Sequence, residues 1–468
     1  MRFIFYFLPS LLAAQTYDIV LHRGRVLDPE SGLDGIRDVG ITGKKVAAIS
    51  TRPVRGKVEI DAAGLTVAPG FIDLHSHGQT PENYRYKAMD GVTTALELEV
   101  GVSPVSEWYA ARQRKALIHF GASSGHIPAR MAIMKDTGAF LPRDTAMNRR
   151  ATSEERKAIA AAVQKGLDEG ALGLGLGLAY TPTASAEEIL DLFYLMAKWK
   201  RPVFVHMRDA GGGVPGVIES LQEVIADAAA SGASLHVVHL NSMAVKKTPE
   251  ALRMIEGARA RGVDITTEAY PYIAAHTRLE SALFDQGWQE KLGATYSDLQ
   301  WDATGERLTA ESFERYRKQG GGVVIFHNTE EMVRTAIANP LVMIASDGGI
   351  TDGKGHPRGA GTYARVLGRY VREQKAISLM DAVRKASLQP AQRLEAMSPQ
   401  MRQKGRLKAG ADADIAVFDA EHVIDKATFE NPAQYSEGFR YVLVEGTFVV
   451  RDGKLQEGVA PGQAIRAQ

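Results

Sequence analysis

Residues 71–77 read FIDLHSH, a short apolar run that fits a buried strand and then two histidines two residues apart. Residues i and i+2 of an extended strand share a face, so His75 and His77 can grip a single cation. The same pattern recurs downstream. PVFVHMRD ends its apolar run at His206, LHVVHLNS at His239 and VMIASDGG at Asp347. Helical segments lie between several of these runs. TSEERKAIAAAVQKGLDEG opens with Thr152 and Glu155, and SAEEILDLFYLMAKWK with Ser185 and Glu188, both spaced as capping boxes. Adding TTALELE, ALIHFGASS, GALGLGLGLAY and DITTEAYPY makes eight strands in a βα rhythm, which predicts an α/β fold, a (β/α)8 TIM barrel over residues 69–399. Active sites of such barrels lie at the C-terminal strand ends, where the histidines and Asp347 fall.

The second strand raises a separate question. Residues 91–101, GVTTALELEVG, read as a buried strand, yet Glu97 and Glu99 share one of its faces. A buried carboxylate is costly without a cation or hydrogen-bonding partner. If both point into the barrel, the one nearer the mouth can bind or bridge divalent metal beside the histidines. Glu99 is the expected ligand and Glu97 its support or alternate. The competing expectation is an ion pair with a base such as Arg208.

Outside the barrel, residues 16–68 and 400–468 carry strands and tight turns, which predict one small β-sandwich domain assembled from both termini. Residues 277–322, rich in charge, glycine and aromatics, interrupt the barrel rhythm and read as an insertion over its mouth. At the start, Arg2, an apolar run over residues 3–12 and Ala13-Ala14-Gln15 resemble a short secretory signal over residues 1–15. Cleaved, it implies a periplasmic or secreted protein; uncleaved, a cytoplasmic one. No stretch is long and apolar enough to span a bilayer.

Composition narrows the chemistry. The 468 residues contain no cysteine, which excludes thiol nucleophiles and thiolate ligands, so any metal is held by histidine and carboxylate. With 56 basic and 55 acidic residues the net charge is +1, giving no electrostatic case for nucleic acid or an anionic membrane surface. The expected partner is a small-molecule substrate; the oligomeric state is not legible.

These motifs resemble the amidohydrolase superfamily, whose barrels carry HxH, then His, His and Asp on later strands. The likeness is closest to its D-aminoacylase (N-acyl-D-amino-acid deacylase) branch. It runs through APGFIDLHSHG, GVTT, GALGLGLGLAYTP, HMRDAGG, ITTEAYPY, IASDGGITDGKGHPRGAGTYARVLGRYVRE, AVRKASLQPAQRLE and KGRLKAGADADIAVFD. Two departures stand out. Val100 occupies the place of the branch's metal-bridging cysteine, which makes the neighbouring Glu99 its natural replacement. Asn241 occupies the place of a lysine that contacts substrate. Other superfamily branches bridge metals with a carboxylated lysine on the fourth strand; GALGLGLGLAY has none. Its alternating Gly173, Gly175 and Gly177 leave a face on which substrate or metal can sit.

The implied reaction is hydrolysis of a linear amide in an N-acyl-D-amino acid. One or two divalent ions would serve, Zn²⁺ by expectation, with Mn²⁺ or Co²⁺ also suited to carboxylate ligands. Asp347 is the expected proton carrier. Arg358, in GKGHPRGAG, is the expected fork for the substrate carboxylate. Tyr180 matches a substrate-contact tyrosine of the branch, and Asn241 falls at a contact position. His126 in SSGHIP and His327 before the last strand are further candidates. The alternatives are a D-residue-containing dipeptide or cyclic amide as substrate and, in another class, a non-catalytic barrel scaffold.

Overall fold

Eight short apolar runs supply the barrel strands: β1 (Phe71–Asp73), β2 (Val92–Val102), β3 (His119–Gly125), β4 (Leu174–Gly177), β5 (Val203–His206), β6 (Leu235–Val237), β7 (Ile265–Ala269) and β8 (Val342–Ile344). They come from a computed structural model that describes residues 16–468; the expected signal, residues 1–15, lies outside the described residues. Successive strands pair in parallel in sequence order, and both faces are buried, which is why these strands read as continuous apolar runs.

Side chains and single backbone contacts join β8 to β1. Asp73 accepts from the Ser346 amide at 2.9 Å, its other oxygen takes buried Lys87 Nζ at 2.8 Å, and the Asp347 amide donates to the His75 carbonyl at 2.7 Å. Ile72, Leu74, Leu96, Leu98, Phe204 and Met343 fill the barrel interior. Ile465 packs among them, and Tyr109 donates to its carbonyl at 2.7 Å. The C-terminal tail therefore leaves the β-rich domain, to which residues 400–468 were assigned, because its apolar side chains plug the barrel floor.

The helix Ser153–Asp168 has the expected reciprocal capping box. The helix Ala186–Trp199 does not. Ser185 caps the Glu188 amide, but the Glu188 carboxylate turns away to buried Arg130 and His126, where two donors outcompete one backbone amide.

The insertion is wider than residues 277–322. Strands Ala274–Arg278, Leu299–Trp301 and Gly322–Phe326 form an antiparallel sheet outside the barrel, so the excursion begins and ends in strand. Tyr180, after β4, reaches Thr277 on this sheet at 3.1 Å, tying the excursion across the mouth.

A β-rich domain is built from both termini: Thr66–Pro69 pairs in parallel with Thr16–Asp28 and antiparallel with Ile415–Phe418. All nine of its strands belong to one hydrogen-bonded network around Leu21, Val39, Val67, Ile415 and Leu443. Among the described residues no helix is long and apolar enough to cross a membrane.

Candidate metal centre

The geometry of the mouth begins with an irregularity in β2. Glu97 pairs with Ala122, but the next paired residue, Val102, lies opposite Ser124, so residues 98–101 face Ser123 alone. Such a bulge re-aims side chains next to active sites. Gly101 turns it with φ +68, and Ser123 Oγ pins the Leu98 carbonyl at 2.7 Å. On β4, two strands along the barrel, a Cβ on Gly175 would lie 2.5 Å from the Glu99 carbonyl oxygen. The glycine face of β4 is thus occupied by protein, the bulged strand at Gly175, Pro202 and Phe204 at Gly173, and Ile127 and Tyr180 at Gly177, which corrects the expectation of open space there for substrate or metal.

The bulge delivers Glu99 between two pairs of histidines. Its Oε2 lies 3.3 Å from His75 Nε2 and 3.2 Å from His77 Nε2. Its Oε1 lies 2.7 Å from His206 Nδ1 and 3.9 Å from His239 Nε2. Asp347 Oδ1 stands 3.3 Å from His75 Nε2 and 3.2 Å from His77 Nε2. Both His239 (φ 33) and Asp347 (φ 52) adopt left-handed backbone, a strained choice for non-glycine residues that clusters at functional sites. Arg208 is turned away from both glutamates and pairs with Glu223 at 2.7 Å.

Two further carboxylates set the histidine tautomers. Glu97 takes His77 Nδ1 at 2.9 Å, and Glu268 on β7 takes His75 Nδ1 at 2.6 Å. With each Nδ1 turned outward to a carboxylate, each Nε2 is left pointing at the centre, where it can give its lone pair to a metal once its proton is displaced, and the two lie 3.1 Å apart. His206 Nδ1 and His239 Nε2 face each other at 3.0 Å in the same way, while His206 Nε2 and His239 Nδ1 lack partners among the described residues. Ring nitrogens converging on carboxylates need positive charge among them, which protons or a metal ion can supply, so this donor set fits divalent metal. Two groups have donor atoms close enough to share an ion, His75–His77–Asp347 and His75–Glu99–His239.

The charge balance agrees. Burial disfavours a proton on His75, but Asp347, Glu268 and Glu99 outweigh it and push its pKa up to about 10. The pocket demands positive charge. Burial would raise Glu99, but His206, His239, His75 and His77 hold it well below the usual carboxylate range. Burial likewise opposes ionised Asp347, yet Arg358 and His75 keep it ionised.

A cavity of about 330 Å³ opens onto this centre. Tyr180, Arg358 and His327 line it. Arg358 is buried, stacked 4.4 Å over the Tyr270 ring, with Nη1 2.9 Å from Asp347 Oδ2 but neither Nη1 nor Nε aligned for a hydrogen bond. Burial lowers the pKa of His327, and it spans the Ile325 and Ser242 carbonyls.

Two expected substrate contacts do not reach the cavity. Asn241 follows the left-handed turn at His239, which points its side chain at the Tyr270 carbonyl, 3.0 Å away. His126 starts the helix His126–Met134 and is held by Glu188 at 2.8 Å beside Arg130, a buried structural ion group. Glu268 was missed by the sequence reading, although the signal used for Glu99, a carboxylate inside an apolar strand, marks it equally in DITTEAYPY.

Comparison with known proteins points the same way. Residues 66–455 match the amidohydrolase family. The chain is 30% identical to an N-acyl-D-glutamate deacylase of Alcaligenes xylosoxydans xylosoxydans, over 92% of this chain and 93% of that one. An N-acyl-D-glutamate deacylase structure from Bordetella bronchiseptica, complexed with zinc and a phosphonate mimic of the tetrahedral intermediate, has a TM-score of 0.81 at 28% identity, covering 97% of this chain and 100% of that one. A D-aminoacylase with a binuclear metal centre, activated by one metal and attenuated by a second, also has a TM-score of 0.81, at 26% identity and with 96% and 100% coverage.

Proposed function

The chain belongs to the amidohydrolase family, and from that premise we propose that it deacylates N-acyl-D-amino acids, using divalent metal, zinc foremost, of which two ions would be held with the help of Glu99. It is a metal-dependent hydrolase of amide bonds. The observation that carries the reading is the split of Glu99, one oxygen toward the His75–His77 pair and the other toward His206–His239. His75, His77 and Asp347 would hold one ion and His206 and His239 the other. Imidazole and carboxylate donors without thiolate suit Zn²⁺, and also Mn²⁺ or Co²⁺.

Bound there, the metal would supply a hydroxide nucleophile near neutral pH and polarise the scissile carbonyl. Asp347 takes the proton of the attacking water at its carboxylate and returns it to the departing amine. Arg358 keeps that carboxylate ionised, and its unaligned Nε and Nη1 offer a planar fork to the carboxylate of the substrate. Tyr180 closes the opposite wall, its ring 4.8 Å from that of His206. The excursion sheet shields the reaction from water.

The test is amine release from N-acetyl-D- and N-acetyl-L-amino acids, with chelator and with Zn²⁺ or Mn²⁺ restored. Chelator-sensitive, D-selective release is expected; L-selective release would overturn the stereochemistry. We also place the enzyme outside the cytoplasm, on the strength of Arg2 and the apolar residues 3–12. Mass analysis of the expressed protein should find residues 1–15 removed; an intact N-terminus would count against export.

A further inference from the structure

We propose that Phe140, Leu141 and Val100 form an acyl subsite that takes an unbranched apolar acyl chain longer than acetyl. This rests on the deacylase reading for its orientation, since it assumes that the substrate carboxylate meets Arg358. The connection after β3 carries Phe140 and Leu141, and Arg358 stacks on Tyr270 at the end of β7. In a ring of eight strands β3 and β7 face each other across the barrel. An extended secondary amide places its two substituents on opposite sides of the C–N bond. With the carboxylate-bearing carbon toward Arg358 and the carbonyl over the metal centre, the acyl chain runs to Phe140.

The wall suits that occupant. Phe140 is 46% exposed, although its ring edge lies against His77 with centroids 5.5 Å apart. It is the one large, exposed apolar side chain of the described residues that lines the cavity. Leu141 and Val100 continue from it into an apolar cluster with Ile127, Met131 and Tyr180. Of the cavity's two arginines, Arg358 stacks on Tyr270 across the barrel, and Arg278 is already bound to Glu280 at 2.9 Å. No hydrogen-bonding group on Phe140, Leu141 or Val100 side chains would reward a polar acyl group, whereas each methylene fully removed from water there is worth about fourfold in binding.

The experiment compares kcat/KM for N-acetyl-, N-butanoyl- and N-hexanoyl-D-leucine in the wild type, Phe140→Ala and Phe140→Leu. The wild-type value should rise at least about tenfold from acetyl to hexanoyl. Phe140→Ala should compress the ratio below about threefold, and Phe140→Leu should restore most of it. A flat wild-type series, or an unchanged ratio in Phe140→Ala, would overturn the subsite. Calorimetric titration of the zinc-loaded protein with hexanoate and acetate needs no turnover. Hexanoate should bind at least about tenfold more tightly, and only where Phe140 is present; equal affinities would again overturn the subsite. Tight hexanoate binding without release of any D-amino acid would refute the deacylase reading and leave the subsite standing.

Discussion

Two clusters of buried histidine and carboxylate occupy opposite ends of this barrel, and their hydrogen bonds are organised in opposite ways. On the floor, His119 at the start of β3 directs Nε2 at Asp414, 3.1 Å away, and its Nδ1 accepts from the Gln463 amide at 3.0 Å. Lys404 reaches Asp414 at 2.6 Å and Asp412 at 2.9 Å, and the Glu445 amide supplies a further donor to Asp414. No side-chain nitrogen or oxygen of that cluster is without a partner among the described residues. At the mouth, four histidines turn ring nitrogens toward one another around Glu99, and two outward ring nitrogens have no partner among the described residues. Buried polar groups in proteins are nearly always satisfied, so the unsatisfied cluster is the one that awaits a ligand. Histidine and acid together at low exposure do not mark a functional site; the accounting of their hydrogen bonds does.

Substitutions should separate the two clusters, beginning at the mouth. Glu99→Gln removes the charge placed between the histidine pairs and should lower turnover and metal occupancy by more than about 100-fold, beyond the range of a residue that merely supports a ligand. Metal analysis after dialysis measures it, and retained zinc at full stoichiometry would place the bridge elsewhere. On the floor, Lys404→Met strands Asp414 as an uncompensated buried charge and should cost about 3–5 kcal/mol of stability. Denaturant unfolding should register the loss while zinc affinity stays put; a parallel loss of zinc would merge the two clusters into one system.

Smaller effects sharpen the contrast. Glu268→Gln weakens the carboxylate that orients His75 and should reduce zinc affinity about 10- to 100-fold, read by chelator competition. Asn241→Ala should leave KM within about threefold and cost about 1 kcal/mol of stability, since it loses only the bond to the Tyr270 carbonyl. A large rise in KM would return Asn241 to the substrate.

Much of the architecture is legible in the chain. Several barrel strands are apolar runs closed by a polar residue, and local spacing is enough to place His75, His77, His206, His239 and Asp347 at the mouth. The helix caps were half legible: Thr152 and Glu155 act as spaced, but the Glu188 side chain answers to Arg130 and His126, residues brought near it only by folding. The same limit hid Asn241 and His126, whose orientations follow from a left-handed turn and a helix start rather than from sequence spacing.

By itself the sequence determined the chemistry of the donors, the order of the strands and the absence of thiolate, because composition and periodicity are local properties. Tertiary structure alone decided which glutamate stands between the two histidine pairs and which supports His77 from outside. Strand alternation puts Glu97 and Glu99 on one face and cannot choose between them. The choice is made by the bulge at residues 98–101, which exists because Gly175 on another strand leaves room for the Glu99 carbonyl and Ser123 pins that of Leu98. Contacts between strands far apart in sequence fix side-chain direction, and no local pattern encodes them.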